Sequence, residues 1–301
     1  MATINNGQIA LTGGVINLAE KASPKVVEAF SRESCTEGLF SHDYDWTGVR
    51  TVRVYSVDDL PLNDYNQTKV DGTSRFGTLV ELGDTVQEMT VNQDKAFNGI
   101  IDKANNTSVL MIKAAGKVLS RQMKNVVVPY VDKFRLGVLA AGSGLTKGSG
   151  ALSKTDIIEK IMTGNAAMSN ELVPDTGRVM FIGYTEAIKL KLADQVVGID
   201  KLGEESIVNG VCGKIDKCQV RIVPDSYMPQ VDVSATSTPS MKAVKFMIVK
   251  TGVALAPKKI ETYRVVSNSY IVDGSIVQGR LLHDCFVLQK KNKGIYVYTE
   301  A

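Results

Sequence analysis

The sequence predicts an α+β fold, because helical and extended patterns both recur along the chain. Residues 108–141 carry apolar side chains at helical spacing, whereas residues 49–57 and 85–91 alternate apolar and polar side chains as strands do. The composition of the 301 residues, 44% hydrophobic and 22% charged, is typical of a soluble globular protein. A chain of this length has room for one large domain or two smaller ones.

The charge and hydropathy patterns exclude several classes of protein. A net charge of +3 gives no basic signature of a dedicated nucleic-acid binder. No stretch approaches the ~18 consecutive apolar residues of a membrane helix. The segment Met1–Gly14 is polar and glycine-rich, unlike a signal peptide, so we expect synthesis in a cytoplasm.

Residues 15–48 are predicted to form an arm and not a domain. Short apolar groups around Val15 and Val26 are interrupted by Pro24 and followed by the polar run Ser31–Trp46. This segment has too few apolar residues to bury a core of its own. We expect it to be disordered or to lie on another surface, such as a neighbouring subunit.

Residues 49–91 are predicted to form an extended β-hairpin. Its strands are Val49–Val57 and Thr85–Val91, and the intervening residues 60–83 are rich in Pro, Asn, Asp, Gly, Ser and Thr. A two-stranded ribbon is marginally stable in water, and a loop of this length is unusual in a compact domain. We therefore expect the hairpin to project from the body and pack on a neighbour.

Residues Ser108–Ala141 are predicted to form a long spine helix. Asn105–Thr107 offer N-caps and Gly142 offers a C-terminal stop. At ~1.5 Å per residue the helix would span roughly 50 Å. Pro129 should kink it or divide it near Asn125–Val128.

The segment Ala140–Gly150 is predicted to be a flexible boundary. Neither GxGxxG nor a P-loop motif is present, and the preceding element is a helix, so a hinge is favoured over a phosphate site. Residues 151–256 then indicate a compact α/β unit, followed by mostly extended residues. Its first predicted element is a helix that begins at Ser153–Asp156 and carries Ile157, Ile158, Ile161 and Met162. A strand, Arg178–Ile182, and a helix capped by Thr185 and continuing through Asp194 follow. Two further strands are predicted at Gln219–Val223 and Ala243–Val249. The strands predicted after it are Thr262–Val266, Ser275–Leu282, Phe286–Gln289 and Gly294–Thr299.

Catalytic chemistry finds little support. Cysteines at positions 35, 212, 218 and 285 form no CxxC pair, so neither a zinc site nor a disulfide framework is predicted. The histidines are His42, near Asp43 and Asp45 in the polar arm, and His283. We expect no catalytic, cofactor-binding or metal-binding residues, and no enzymatic activity.

The sequence His283-Asp284-Cys285 is the strongest candidate for a catalytic cluster, because a thiol beside a histidine and a carboxylate could act as a nucleophile. In an extended segment, however, His283 and Cys285 share one face and Asp284 lies on the other. For two other sets of charged residues, the simplest interpretation is that they lie on a surface exposed to solvent. We expect an edge strand to be solubilised by the carboxylates Glu81, Asp84, Glu88, Asp94 and Asp102, which could also pair with Lys or Arg of another subunit. We expect solvent, or alternatively DNA, to face the stripe Lys113, Lys117, Arg121 and Lys124.

Four segments resemble the major capsid proteins of tailed bacteriophages from Gram-positive hosts. They are Thr85–Ile101, the helix segments 114–117 and 126–136, Phe246–Pro257 with the following Lys259-Ile260, and Val277–Tyr298. The resemblance spans roughly residues 49–300 and depends on the order and spacing of these segments, since no one motif is diagnostic.

The resemblance implies a Hong Kong 97-type capsid fold. Residues 1–48 would be its N-terminal arm and 49–91 its extended loop, which overlaps an adjacent subunit. Residues 92–150 and 257–301 would form a peripheral domain containing the spine helix 108–141. Residues 151–256 would form an axial domain at the centres of hexamers and pentamers.

The function implied is that of a virion head protein, which assembles in the bacterial host cytoplasm as hexamers and pentamers into an icosahedral shell around double-stranded DNA. Its partners would be portal and head-completion proteins, DNA held by weak non-specific contact, and no membrane. Some relatives begin with a long cleaved scaffolding region, which is not found here, so a separate scaffolding protein is expected. No Lys–Asn–Glu trio for covalent crosslinking between subunits could be placed.

Three alternatives share part of this evidence. An encapsulin-like nanocompartment shell has the same fold, and a tail or adaptor protein is also structural. A cysteine hydrolase using Cys285 and His283 belongs to a different class. A Cys285 thiol no more reactive than a buried cysteine would remove that last alternative.

Overall fold

The computed structural model describes residues 3–5, 8–11, 14–17, 34–41, 43–44, 46, 50–68, 74–103, 115–193, 214–232, 240–269 and 272–300. The strands are β1 (Thr3–Asn5), β2 (Gln8–Leu11), β3 (Gly14–Asn17), β4 (Thr51–Val57), β5 (Asp84–Thr90), β6 (Gln93–Asp102), β7 (Gly148–Ser149), β8 (Arg178–Gly183), β9 (Lys214–Ile215), β10 (Cys218–Val223), β11 (Gln230–Asp232), β12 (Met241–Lys250), β13 (Ala254–Leu255), β14 (Lys258–Ser269), β15 (Val272–His283), β16 (Phe286–Val287) and β17 (Ile295–Thr299). The α-helices are α1 (Ala115–Gln122), α2 (Val128–Ala141), α3 (Ile157–Asn170) and α4 (Tyr184–Lys191). Helices and strands are both well represented, which confirms the α+β class.

A seven-stranded mixed sheet forms the centre of the molecule. Its order is β7-β17-β12-β8-β10-β9, with β11 paired to the outer part of β12. The run of β8 is buried on both faces, as an apolar central strand requires. Met180 and Ile182 pack against α3 and α4, whereas Val179 and Phe181 pack against α2.

Two smaller sheets lie outside this core. In the first, β15 pairs antiparallel with β14 on one side and β6 on the other, and α1 contacts both β14 and β15. In the second, β4 and β5 pair from Thr51↔Thr90 to Val57↔Asp84, which confirms the predicted hairpin strands to within two residues. Separately, β1 to β3 form a three-stranded antiparallel sheet.

The spine helix changes its winding where the sequence predicts a break. A π-helical turn, Met123–Val127, joins α1 to α2, and Pro129 lies in the first turn of α2. Proline lacks an N–H group and its ring crowds the carbonyl four residues earlier, and the wider π turn makes room for it. The helix ends at Ala141 as predicted, but its predicted start at Ser108 lies outside the described residues.

The helix α4 is capped differently from the prediction. Thr185 lies within its first turn, and the N-cap is Gly183, which has no side chain to contribute. The carboxylate of Asp225 instead accepts hydrogen bonds from the Thr185 N–H and hydroxyl. The prediction missed this because the capping group comes from another element.

The glycines of the predicted hinge, Gly142–Gly150, permit close packing. Gly148 belongs to β7, which pairs with β17, and a Cβ there would lie 2.3 Å from the Tyr296 hydroxyl oxygen. A Cβ on Gly144 would lie 2.4 Å from the side chain of Asn292. The segment is therefore packed on the central sheet. This packing does not favour the flexible joint that the glycine-rich composition of the segment predicts.

The C-terminal strand also departs from the predicted domain boundary. Residues 257–301 were assigned to the peripheral unit, yet β17 is hydrogen bonded between β12 and β7 of the central sheet. The predicted strand Phe286–Gln289 ends at Val287 and gives way to a 3₁₀ turn, Gln289–Gly294. The hydrogen bonding thus places the last strand with the unit predicted at 151–256.

Candidate interaction surfaces

The β4–β5 hairpin carries an unusual amount of exposed apolar surface. Half of the large apolar side chains that are exposed among the described residues lie between Tyr55 and Val86. Leu62 is 102% exposed, Leu79 91% and Phe76 75%. Residues 60–83 are predicted to be polar, because their apolar residues are scattered singly between Pro, Asn and Gly. The number of exposed apolar side chains on this hairpin makes it a candidate interaction surface.

The base of the hairpin, in contrast, is firmly attached to the body. The Gln87 side chain donates to the Val287 carbonyl oxygen at 2.8 Å and accepts from the Gln289 N–H at 3.0 Å. Lys290 forms an ion pair with Asp58 at 2.6 Å, and Met89 is buried among core residues. These contacts hold the strands of the hairpin on the body, whereas the side chains of residues 60–68 and 74–83 are mostly exposed.

The predicted carboxylates divide into two groups. Glu88 pairs with Arg53 across β4 and β5 at 3.1 Å, and Asp94 pairs with Arg280 across β6 and β15 at 2.6 Å. The hydrogen bond from Arg280 holds the pKa of Asp94 below its usual value. Residues 58–68 and 74–84 are acidic overall, because their one basic residue, Arg75, is outnumbered by the acidic residues Asp58, Asp59, Asp64, Glu81 and Asp84.

An apolar groove lies between the π turn and the β14–β15–β6 sheet. It has a volume of about 210 Å³ and is lined mainly by Phe97, Val126, Val127, Tyr130, Tyr263 and Leu281. Lys95 stands over the ring of Tyr130 at 5.9 Å. Of the predicted basic stripe, Lys117 and Lys124 are exposed on the same helical segment, whereas Lys113 lies outside the described residues.

A buried carboxylate attaches part of the predicted arm to the spine helix. Asp132 is 1% exposed and accepts hydrogen bonds from the Ser34 hydroxyl, the Cys35 N–H and the Thr36 hydroxyl at 2.7 to 2.9 Å. Leu39 then enters the core on α2. Residues 34–41 therefore lie on the chain's own body.

The His283-Asp284-Cys285 cluster is buried. The Asp284 carboxylate accepts hydrogen bonds from the Asn92 and Cys285 N–H groups, both at 2.9 Å. Burial raises the pKa of Cys285 to about 12, and burial together with Arg135 lowers the pKa of His283 to about 4. A thiol that stays protonated beside a poorly basic imidazole is unsuited to nucleophilic catalysis.

The other candidate residues also lack the features of a site. Burial raises the pKa of Cys218, whose thiol contacts the Asn165 side-chain oxygen at 3.1 Å. His42 and Cys212 lie outside the described residues. Within the described ranges, no three His, Cys, Asp or Glu residues are grouped to hold a metal ion. No helix in that part of the chain is long and apolar enough to cross a membrane.

Comparisons with known proteins give structural matches only. No protein-family model matches the chain, and no curated protein matches it in sequence. Solved structures do match over nearly their whole length. A chain from Mycobacterium phage Che8 superimposes with a TM-score of 0.73 at 15% identity, covering 93% of this chain and 96% of that one.

Two further matches are described as capsids. A chain of the capsid of cyanophage P-SCSP1u has a TM-score of 0.74 at 14% identity, covering 94% of this chain and 93% of its own length. A chain of the mature capsid of bacteriophage PhiM1 has a TM-score of 0.72 at 10% identity, covering 94% and 92%. Identities this low establish a shared fold, and the resemblance noted in the sequence is confirmed at that level.

Proposed function

We propose, from the phage-capsid fold that this chain shares with solved structures, that it is a major capsid protein of a tailed bacteriophage. In this proposal its subunits form hexamers and pentamers, which close an icosahedral shell of the Hong Kong 97 type around double-stranded DNA. The role is structural, without enzymatic activity. The protein would be located in the virion and assembled in the cytoplasm of a bacterial host.

The shared fold carries the proposal, and the attached hairpin with its exposed apolar side chains supports assembly with neighbouring copies. A subunit that worked alone would bear the cost of exposing Leu62, Phe76 and Leu79 to water, at roughly 25 cal/mol per Å² of apolar surface. Contact with a neighbouring copy removes that cost. The two side-chain hydrogen bonds of Gln87 fix the adjoining strand β5 on the body.

The subunit also offers a surface that complements the hairpin. The loop of the hairpin is acidic, and the exposed Lys117 and Lys124 lie on the helical segment that flanks the apolar groove at Val126. Opposite charges around an apolar contact favour one docking orientation over others. These features support an extended loop, 49–91, that overlaps an adjacent subunit.

The proposal divides the rest of the chain into an arm, a peripheral domain and an axial domain. Residues 1–48 would form the arm, 92–150 and 257–301 the peripheral domain, and 151–256 the axial domain, with β17 joining the axial sheet. Many modest contacts that must break together would stabilise the shell. Scaffolding, portal and head-completion proteins would be partners, and the net charge of +3 fits weak, non-specific contact with DNA.

Negative-stain electron microscopy tests the proposal directly. The full chain is purified alone and also after co-expression with the product of the gene immediately upstream, which is the candidate scaffolding protein. We expect closed polyhedral shells in at least one of the two preparations. A protein that stays monomeric in both, over the concentrations used for shell assembly, would overturn the proposal.

A further inference from the structure

His283 occupies a junction between the spine helix and a sheet. It ends β15, where it stands opposite Lys258 of β14 and Gln93 of β6. Its ring meets Tyr130 and Phe134 of α2 edge-on, with centroids 5.9 and 5.4 Å apart. One imidazole therefore lies where α2, β6, β14 and β15 come together.

The imidazole is buried without a polar partner. His283 is 1% exposed, and neither of its ring nitrogens has a hydrogen-bond partner among the described residues. A buried N–H group left in this way costs about 1–3 kcal/mol. Phenylalanine or leucine would fill the same space without that cost, so packing alone does not account for a histidine here.

The charges around the ring oppose a further positive charge. Arg135 of α2, Lys95 of β6 and Lys258 of β14 are cationic, and Asp284 on the following loop is the facing anion. The Asp284 carboxylate already accepts hydrogen bonds from two N–H groups, and Cys285 contributes a neutral thiol. The site thus accepts a neutral imidazole and resists an imidazolium.

We propose that His283 is an acid-sensitive latch that holds the spine helix on the β14–β15–β6 sheet. While the ring is neutral, it packs between Tyr130 and Phe134. Once the ring is protonated it needs water or an anion at its nitrogens, which it reaches by leaving the junction. Acid would therefore loosen α2 from the sheet. The inference concerns the single subunit and does not depend on shell formation.

The direction of the pH dependence follows from the lowered pKa. His283 has a pKa of about 4 in the folded protein against an ordinary value of 6.5. Stability from the neutral ring is fully present above 6.5 and is lost as the pH falls towards 4, because only the opened form binds the proton in that window. The equilibrium constant for opening rises roughly tenfold per pH unit within it.

Hydrogen exchange of the full-length wild type and of His283→Phe tests the latch. The probes are the amides of residues 128, 130–134 and 276–283, and comparison of the two proteins at the same pH cancels the intrinsic exchange rates. At pH 5 we expect protection in the wild type to fall roughly thirtyfold relative to the variant, compared with their ratio at pH 8. A ratio that is the same at both pH values would overturn the proposal.

A second measurement does not depend on whether the variant folds. The chain contains only two histidines, so two-dimensional NMR of histidine-labelled protein gives two ring signals, and His42→Gln identifies the one from His283. We expect the His283 signal to remain that of a neutral ring down to about pH 4. Titration of this signal near pH 6.5 with the helix and sheet still protected contradicts the latch.

Discussion

Arg178 shows how much of the central unit depends on one buried cation. It begins β8 and its side chain is 2% exposed. The guanidinium donates to the carbonyl oxygens of Asn165, Val173 and Pro174 at 2.7 to 3.2 Å and pairs with Asp175 at 3.0 Å. Asn165 lies within α3 and the other acceptors lie in the turn after that helix, so the arginine holds both the helix and the turn on the sheet.

Arg178→Leu should lower the free energy of unfolding by about 3 kcal/mol, because it leaves buried carbonyl oxygens without donors. Urea unfolding followed by circular dichroism measures the change. The control is Arg264→Leu, whose guanidinium lies on the exposed surface of β14 and bonds Gln278; it should alter stability by less than about 0.5 kcal/mol. Equal effects of the two substitutions would contradict this role of Arg178.

The same residues show a limit of sequence reasoning. The turn Pro174–Gly177 and the strand after it were predicted, and Gly177 does adopt a left-handed conformation with φ of 70°. The burial of Arg178 was not predicted, since an arginine at a strand end is usually solvated. One of its acceptors, the Asn165 carbonyl oxygen, lies thirteen residues earlier in α3, and no local pattern reveals that contact. For His283 and Cys285, the argument from strand faces does not extend past the end of β15 at His283, and it is burial that makes the thiol and the imidazole a poor nucleophile and base.

At the scale of elements, α3 contacts the sheet at a glycine. A Cβ on Gly164 would lie 2.6 Å from the Tyr296 ring, on β17, and 3.3 Å from the side chain of Ile248 on β12. Glycine costs about 1 kcal/mol in a helix interior relative to alanine. The close approach of helix and sheet compensates for that cost.

Gly164→Ala should therefore lower the midpoint of thermal unfolding despite its better helix propensity, since overpacking a buried contact costs about 1–3 kcal/mol. Gly137→Ala is the matched control, because a Cβ there meets nothing within 4 Å. That substitution in α2 should stabilise the protein by about 0.5–1 kcal/mol. Opposite signs in calorimetry are expected, and stabilisation by both substitutions would contradict the packing argument.

Elements with a strong local signal were predicted and those made by distant pairing were not. The hairpin strands, α3 and β12 follow apolar periodicity, and the break in the spine helix follows Pro129. In contrast, β6 (Gln93–Asp102) has weak alternation and becomes a strand because β15 pairs along its whole length. The short strands β7, β9, β11 and β13 likewise exist only through their partners.

At the scale of the whole molecule, the body is well packed but the hairpin is not. Both faces of the central sheet are covered, whereas the loop between β4 and β5 leaves most of its large apolar side chains exposed. The arm was expected to depend on other surfaces as well, and residues 34–41 instead join the body through Asp132. Among the described residues, half of the exposed large apolar side chains are thus on the hairpin.

A triple substitution of Leu62, Phe76 and Leu79 by serine should abolish assembly and leave the subunit folded. These side chains contribute little to the core, so the thermal midpoint of the unassembled subunit should stay within a few degrees of the wild type. Sedimentation velocity measures assembly. Met241→Ser, which alters another exposed apolar residue outside the hairpin, serves as the control. Normal shell formation by the triple variant would contradict the role given to the hairpin.

The attachment of the hairpin has a consequence for the order of events during folding. Gln87 binds the backbone at Val287 across 200 residues of sequence, and Asn92 reaches Asp284 across 192. These two contacts can form only after the segment 284–287 has been synthesised, although the hairpin strands themselves are complete much earlier. Until Val287 has left the ribosome, the hairpin therefore lacks both of these attachments to the C-terminal part of the chain.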